Sequence, residues 1–285
     1  MNKADTFAER RATFRRLHER GCFVMPNPWD AGTARYLASL GFPALATTSA
    51  GFGFSRGLPD SPLAMNREMV LSHVNEIVGA TGLPVNADFQ SGYSADAAGV
   101  ADSVRLCVET GVAGLSIEDA TGDASRPLFE QAEAVERLTA ARRAIDATNS
   151  GVLLTGRAEC YLVGHPDPLH ESIRRLEAYA AAGADVLFAP GVRERSDIAA
   201  IVKAVHPLPV NVLISADTGL RVADLAELGV RRISVGSALA RVAWGALIRA
   251  AVPLARDGSF AGLAGATAFA ELNAMFDKNP AGRAS

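Results

Sequence analysis

Cysteine is scarce in this sequence. The three cysteines, Cys22, Cys107 and Cys160, are an odd number and lie far apart. That fits a reducing compartment better than a disulfide framework, so we predict a cytoplasmic protein. No spacing of histidine and cysteine matches a zinc site.

Long apolar runs and a strong net charge are also missing. No uninterrupted apolar run reaches about 18 residues, and the first residues are polar and charged, so we expect no membrane-spanning or secretory segment. The formal net charge of −3 gives no electrostatic signature for nucleic acid or an acidic membrane. The composition therefore predicts no nucleic-acid or membrane partner.

What the sequence does contain is a regular alternation of short apolar strands and helices over 285 residues, of which 49% are apolar. Strands that are apolar throughout are typical of a parallel sheet covered on both faces. Four helices end in the same way, at Gly41, Gly111, Gly183 and Gly229, each just before a strand. Eight such units predict an α/β (β/α)8 TIM barrel, with an open doubly wound sheet as the competing fold.

The alternation shows no break, so we predict a single barrel domain over residues 1–276 and a mobile tail over 277–285. Three predicted helical segments lie outside or at the end of the repeating pattern, at 4–20, 237–256 and 260–276. The last two carry more apolar residues than one barrel wall needs, which predicts an oligomer contact. The glycine-rich stretch at 51–57 is predicted to be a flexible loop over the mouth of the site.

Charged side chains follow three predicted strands at the point where each ends. Asp88 ends the strand at 84–88, Glu118 ends the one at 113–118, and Arg157 ends the one at 151–157. A carboxylate at the end of an apolar strand is costly unless its charge is compensated, and a divalent metal would compensate it. Since the carboxyl ends of barrel strands converge, these residues predict one active site.

Five segments carry a resemblance to a known family: NPWDAGTARYLASLGF, TTSAGFGFSRGLPD, PVNADFQSGY, LSIEDA and TGRAE. Together, in this order and at these spacings, they resemble the isocitrate lyase/phosphoenolpyruvate mutase superfamily over about residues 20–250. The resemblance implies a (β/α)8 barrel whose eighth helix is swapped with a neighbour, in a homotetramer built as a dimer of helix-swapped dimers. It also implies Mg²⁺, held mainly through waters, and a 2-oxo carboxylic acid substrate.

The resemblance further implies roles for individual residues. Asp88 would be the direct metal ligand, and Glu118 and Asp60 would hold metal-bound waters. Gln90 stands in the metal site where most members have a second Asp. Arg157 would bind the substrate carboxylate and take part in catalysis with Asp88 and Glu118. The remaining substrate contacts would come from Thr48, from backbone N–H groups of Ser49 and Ala50, and from Asn211.

Two departures from the family pattern narrow the predicted reaction. The stretch after Asp88 lacks the Lys-Lys/Arg-Cys-Gly-His motif of the lyases, and the loop at 120–127 lacks the Lys and Asn of the mutases. What remains is Mg²⁺-dependent cleavage of a C–C bond through an enolate, by decarboxylation or hydrolysis of an oxaloacetate-like acid. A phosphonopyruvate-type P–C hydrolase and a 2-methylisocitrate-type lyase are the alternatives within the family.

Two further alternatives come from outside that chemistry. A 2-oxo-acid binding protein without catalytic activity would keep the metal cradle and lack an acid/base. A phosphate-binding barrel enzyme would use Gly236 and Ser237, which open the last barrel helix, as an anion site.

Overall fold

A computed structural model of the chain describes residues 3–61 and 63–277. Its centre is one eight-stranded parallel sheet in the order β1-β8-β7-β6-β5-β4-β3-β2. The strands are β1 (Phe23–Met25), β2 (Leu45–Ala46), β3 (Val85–Asp88), β4 (Gly114–Glu118), β5 (Leu153–Arg157), β6 (Val186–Phe188), β7 (Val210–Leu213) and β8 (Arg232–Ser234). The first strand pairs with the last, so the predicted (β/α)8 barrel is confirmed. At the seam between β1 and β2, the Ala46 N–H donates to the Pro26 carbonyl at 3.1 Å.

Helices alternate with these strands and cover the sheet. They are α1 (Lys3–Glu19), α2 (Ala31–Ser39), α3 (Ser49–Ser55), α4 (Arg67–Ala80), α5 (Ala97–Glu109), α6 (Gln131–Ala147), α7 (Pro168–Ala181), α8 (Arg195–Ala204), α9 (Val222–Glu227), α10 (Ala238–Asp257) and α11 (Phe269–Asp277). The four predicted helix-ending glycines at 41, 111, 183 and 229 all have positive φ angles. A residue with a side chain would be strained there, which explains the repeated punctuation.

Helix α1 closes the amino end of the barrel. Phe14 is fully buried and meets His18 and Phe23 edge to face, with ring centroids 4.7 and 6.4 Å away. The Arg11 side chain donates to the carbonyls of Val108 and Val112, both at 2.9 Å, just before β4. These contacts fix α1 across the floor of the barrel.

One local prediction is wrong. The segment predicted as a flexible loop at 51–57 mostly forms α3, because Thr48 caps its first turn and Phe52 is buried. The segment predicted as helical over 260–276 is helical in two pieces, a 3₁₀ helix, Ala261–Gly265, and α11. The predicted mobile tail lies outside the described residues except for Asp277, which ends α11.

Helix α10 is left largely uncovered by the described residues of the chain. Only Ala240 is buried, whereas Trp244, Leu247 and Ile248 are exposed. By length and composition alone, α10 could cross a membrane, with a mean hydropathy of 1.4. Arg241 and Arg249 interrupt its apolar sequence, and the absence of a membrane-spanning segment stays a prediction.

The interior of the barrel is polar in a layer where bulky aliphatic side chains are usual. Asn86 lies two residues before Asp88 on β3, and Thr155 lies two residues before Arg157 on β5. On the neighbouring strands, Arg232 of β8 pairs in register with Asn211 of β7. All four of these polar side chains are buried, as is Ser116 on β4. Below the strand ends that carry Asp88 and Arg157 there is thus a second polar layer.

Candidate active site

Asp88, Glu118 and Arg157 meet at the carboxyl ends of three neighbouring strands. The Arg157 Nη1 atom lies 3.1 Å from Asp88 Oδ1 and 3.1 Å from Glu118 Oε2. The register explains this, because Glu118 is paired with Arg157 across β4 and β5. The structure therefore brings together the three residues on which the predicted site depends.

The site contains more negative charge than positive charge. Glu159 is a further partner of Arg157 through its Oε1 atom, and Asp60 lies close enough to Asp88 for their charges to interact. Burial first, and the charge of Asp88 second, raise the pKa of Asp60 above its ordinary value. Burial likewise raises the pKa of Glu118 and of Glu159, against the opposing effect of Arg157. Four carboxylates thus share one guanidinium, and an added cation would relieve their repulsion.

Asp88 is held in place by backbone and hydroxyl donors. Its Oδ2 atom accepts from the Ser49 N–H at 2.9 Å, and its own N–H donates to Thr47 Oγ1 at 2.9 Å. The Ser49 N–H predicted to bind substrate is therefore occupied by Asp88. The Thr48 hydroxyl is also engaged, since it accepts from the Gly51 N–H at 3.2 Å. Ala50 follows in the first turn of α3, where backbone donors have no partner within the helix.

Gln90 lies beside Asp60 rather than in the cavity. Its Nε2 atom donates to Asp60 Oδ1 at 3.3 Å, and its buried Oε1 atom has no hydrogen-bond partner in the described part of the chain. Within residues 3–61 and 63–277, no three His, Cys, Asp or Glu side chains are arranged as a ready-made metal cage. Asp88 and Asp60 still offer hard oxygen ligands, and Mg²⁺ characteristically retains several waters. The donor set fits a hydrated Mg²⁺ better than a metal held by protein ligands alone.

A cavity of about 160 Å³ opens beside these residues. Its charged lining residues are Asp60, Asp88, Arg157 and Arg232. Asn211 also lines it, as predicted for a substrate contact, but both ends of its amide are engaged: Nδ2 donates to Ser234 Oγ at 3.0 Å, and Oδ1 accepts from Arg232 Nε at 2.9 Å. Asn211 therefore positions Arg232.

The start of α10, which the phosphate-binding alternative uses as an anion site, is partly occupied by a side chain. The N–H groups of Val235 and Gly236 donate to Asn27 Oδ1 at 3.0 and 2.9 Å. Gly236 and Ser237 both line the cavity, and the Ser237 side chain makes no capping hydrogen bond. Since the Gly236 donor is already used, this alternative has less support than the sequence suggested.

Asp119 supports the site from behind, a role that the sequence did not indicate. It is 1% exposed and accepts from Tyr179 Oη at 2.6 Å, Arg175 Nη1 at 3.0 Å and the Glu159 N–H at 2.8 Å. The last bond fixes the backbone of a residue that contacts Arg157. Asp119 precedes a loop in the sequence, so only the packing of α7 against the barrel shows that it is a buried acceptor.

Comparison with known proteins identifies the family. The family model for phosphoenolpyruvate phosphomutase matches residues 14–255. A crystal structure from Burkholderia cenocepacia J2315, described provisionally as a lyase/mutase, shares 48% identity, covers 95% of this chain and 97% of its own, and has a TM-score of 0.90. An oxaloacetate decarboxylase from Bradyrhizobium diazoefficiens is 31% identical over 72% of this chain and 70% of its own length. The structure of an oxaloacetate acetylhydrolase in complex with its product oxalate is 27% identical, covers 94% of each chain and has a TM-score of 0.82.

Proposed function

Because this chain belongs to the phosphoenolpyruvate phosphomutase family, and so is an enzyme of the isocitrate lyase/phosphoenolpyruvate mutase superfamily, we propose that it cleaves a C–C bond in a small 2-oxo carboxylic acid, in a Mg²⁺-dependent reaction. One observation carries this proposal: Asp88, Glu118 and Arg157 converge within 3.1 Å contacts beside a small cavity. Such a cavity suits a substrate of a few heavy atoms.

The Mg²⁺ ion would be held by Asp88 directly and by Asp60 and Glu118 through waters. Bound there, it would polarise the 2-oxo group and lower the energy of the enolate that C–C cleavage generates. Gln90 would contribute through Asp60, to which it donates. Because the amide of Gln90 is neutral, it adds no fifth negative charge to the four carboxylates around the ion.

Arg157 is the residue that would bind the substrate carboxylate. Burial alone would lower its pKa, but the carboxylates of Glu118, Glu159 and Asp88 outweigh burial and raise it. The guanidinium is therefore charged under all working conditions. The Nη1 atom of Arg157 contacts Asp88. A cation bound at Asp88 would replace this contact, and the guanidinium could then form a bidentate contact with the substrate carboxylate. The Ala50 N–H at the start of α3 would stabilise oxyanion charge.

An oxaloacetate-like acid is the substrate that we favour. Relatives named oxaloacetate decarboxylase and oxaloacetate acetylhydrolase act on that acid by name, and both resemble this chain over most of its length. A 2-methylisocitrate lyase from Escherichia coli is also similar, at 29% identity over 68% of this chain. The absent Lys-Lys/Arg-Cys-Gly-His motif argues against that lyase reaction by its usual route. Turnover assays with phosphonopyruvate test the alternative of P–C hydrolysis.

Calorimetric titration with oxalate, a mimic of the enolate, tests the proposal. We expect binding by the purified chain with Mg²⁺ and at least tenfold weaker binding after chelation. Asp88→Asn should abolish the metal dependence, whereas the exposed Asp102→Asn should leave it unchanged. Equal oxalate binding with and without Mg²⁺ would show that the proposed metal site is wrong. Turnover of oxaloacetate, phosphonopyruvate and methylisocitrate then separates an enzyme on each acid from a protein that only binds them.

We also propose that α10 packs against other copies of the chain, as in the predicted homotetramer of helix-swapped dimers. Its exposed apolar residues and the adjoining apolar groove at Phe54 and Leu58 support this. Ile248→Glu should reduce the mass measured by light scattering, and Glu76→Gln on the exposed face of α4 should not. The predicted cytoplasmic location stays a prediction, and the three free cysteines are compatible with it.

A further inference from the structure

Arg232 is a buried cation without a counter-charge. It is 2% exposed, and from β8 its side chain reaches the lining of the cavity inside the barrel. Within residues 3–61 and 63–277 it forms no ion pair. Its partners are the Asn211 Oδ1 atom at 2.9 Å, the Thr155 Oγ1 atom at 3.1 Å and the His18 Nε2 atom at 3.4 Å. A buried charge without a partner of opposite charge is costly, so its presence requires an explanation.

The neutral groups around Arg232 orient it but do not neutralise it. His18 Nδ1 lies 2.8 Å from the Phe14 carbonyl, which must accept, so Nδ1 carries the proton and Nε2 is the acceptor that faces Arg232. Burial, and then the charge of Arg232, lower the pKa of His18 to about 3, so the ring is neutral. The three hydrogen bonds use three of the five guanidinium donors, which leaves two without a partner in the part of the chain that the structure describes.

The unsatisfied side of this cluster faces the cavity. Arg232 and Asn86 both line it, together with Ser116. Asn86 is 4% exposed, and its Oδ1 atom has no hydrogen-bond partner in the described part of the chain. The two ends of an Asn amide are exchanged by a half-turn of the group, so either a donor or an acceptor can meet a ligand there. A buried cation and an unused amide therefore adjoin the same small space.

The position of Arg232 relative to Arg157 fits a ligand with two charged ends. Thr155, which Arg232 contacts, lies two residues before Arg157 on β5, or about 6.6 Å along a parallel strand. Around Arg157 the four carboxylates of Asp60, Asp88, Glu118 and Glu159 disfavour a second anion even when a divalent cation is present. Arg232, by contrast, is ion-paired with no carboxylate in the described residues, and its nearest partners are neutral.

We propose that Arg232, with Asn86, forms an interior carboxylate subsite, so that the substrate is a 2-oxo dicarboxylate whose distal carboxylate is bound in the polar layer below Arg157. This rests on the proposed function, since it assigns one end of the same substrate. Asn211, Thr155 and His18 are positioning residues for the guanidinium. The subsite selects dicarboxylates over monocarboxylates because only a distal carboxylate supplies the charge that Arg232 lacks.

Two unreactive ligands test this subsite: 2-hydroxysuccinate (malate) and its 4-amide, which differ only in the distal charge. Each is titrated calorimetrically into the full-length chain with Mg²⁺, and oxalate is titrated in parallel. We expect the wild-type chain to bind the dicarboxylate at least tenfold more tightly than the amide. Arg232→Met should lose this preference and keep its oxalate affinity within about twofold. The matched control is Arg231→Met, a neighbouring arginine that donates to the Gly21 carbonyl at the surface.

The outcomes separate the subsite from the proposed function. An unchanged preference in Arg232→Met, or no preference in the wild-type chain, would overturn the subsite while oxalate binding still supports the proposed function. Failure of oxalate to bind with Mg²⁺ would overturn the proposed function, and the ligand preference would still decide the role of Arg232. If Arg232→Met does not fold, Arg232→Lys decides: it keeps the charge and loses the fork, so the preference should fall several-fold, and an unchanged preference would overturn the subsite.

Discussion

Replacing Asp119 by Ala should destabilise the protein strongly, because three buried donors lose one acceptor. Removing one partner of a buried ion pair costs roughly 3–5 kcal/mol. Arg175 would keep Glu171 Oε1 at 2.6 Å and the Phe129 carbonyl at 2.9 Å, so its charge would not be left wholly unpaired. We therefore expect a loss near the lower end, about 3 kcal/mol in the free energy of unfolding.

Urea unfolding followed by circular dichroism measures this loss, with an unchanged dependence on urea concentration showing that the native state is otherwise intact. Asp123→Ala is the matched control, since Asp123 lies in an exposed loop where its side chain accepts from the N–H and hydroxyl of Ser125; it should cost much less than Asp119→Ala. Asp119→Ala combined with Arg175→Met should recover part of the loss, because the unpaired cation is removed as well. A loss below about 1 kcal/mol for Asp119→Ala alone would refute the reasoning.

Three further predictions concern packing, pH and binding. Gly114→Ala should cost about 1–3 kcal/mol in urea unfolding, because the new Cβ would lie 2.7 Å from atoms of two buried side chains, whereas Gly79→Ala in α4 meets nothing within 4 Å and should gain about 0.5–1 kcal/mol. His18 has a pKa of about 3 when folded, below its value of 6.5 when exposed, so the unfolded chain binds more protons between these values. The contribution of neutral His18 to stability is thus complete above pH 6.5 and is lost as the pH falls towards 3. The difference in free energy of unfolding between wild type and His18→Gln, measured in urea at several pH values, should therefore shrink as the pH falls through that window. A constant difference would contradict this. Arg157→Lys should weaken oxalate binding at least tenfold in calorimetry, since a point charge cannot replace a bidentate fork, and equal affinity would count against its assigned contact.

Much of the fold could be predicted because each unit carries local signals that agree. Apolar strands flanked by helices, and glycines where φ must be positive, located every barrel strand to within a few residues. Helix α3 was missed because Gly51 and Gly53 favour flexibility in isolation. What overrides them is tertiary: Phe52 is buried, and an added Cβ on Gly53 would lie 3.2 Å from the Leu58 carbonyl, so the helix packs too closely for larger residues.

The candidate site could be predicted in part, for a similar reason. Strand ends are visible in the sequence, so Asp88, Glu118 and Arg157 could be found. Arg232 could not, because Arg231 precedes it and the sequence does not show which of the two faces the barrel interior. That orientation follows only from the closure of the sheet, which pairs Arg232 with Phe23 on one side and Asn211 on the other.

The helix across the floor of the barrel has a kinetic consequence. With α1 packed over the amino end, substrate enters and products leave through the opposite end. When one molecule is split into two fragments inside such a chamber, the fragment nearer the opening must depart before the deeper one can. Release is then ordered, and the deeper fragment, which alone rebinds the empty enzyme, should inhibit competitively against substrate while the other fragment inhibits noncompetitively.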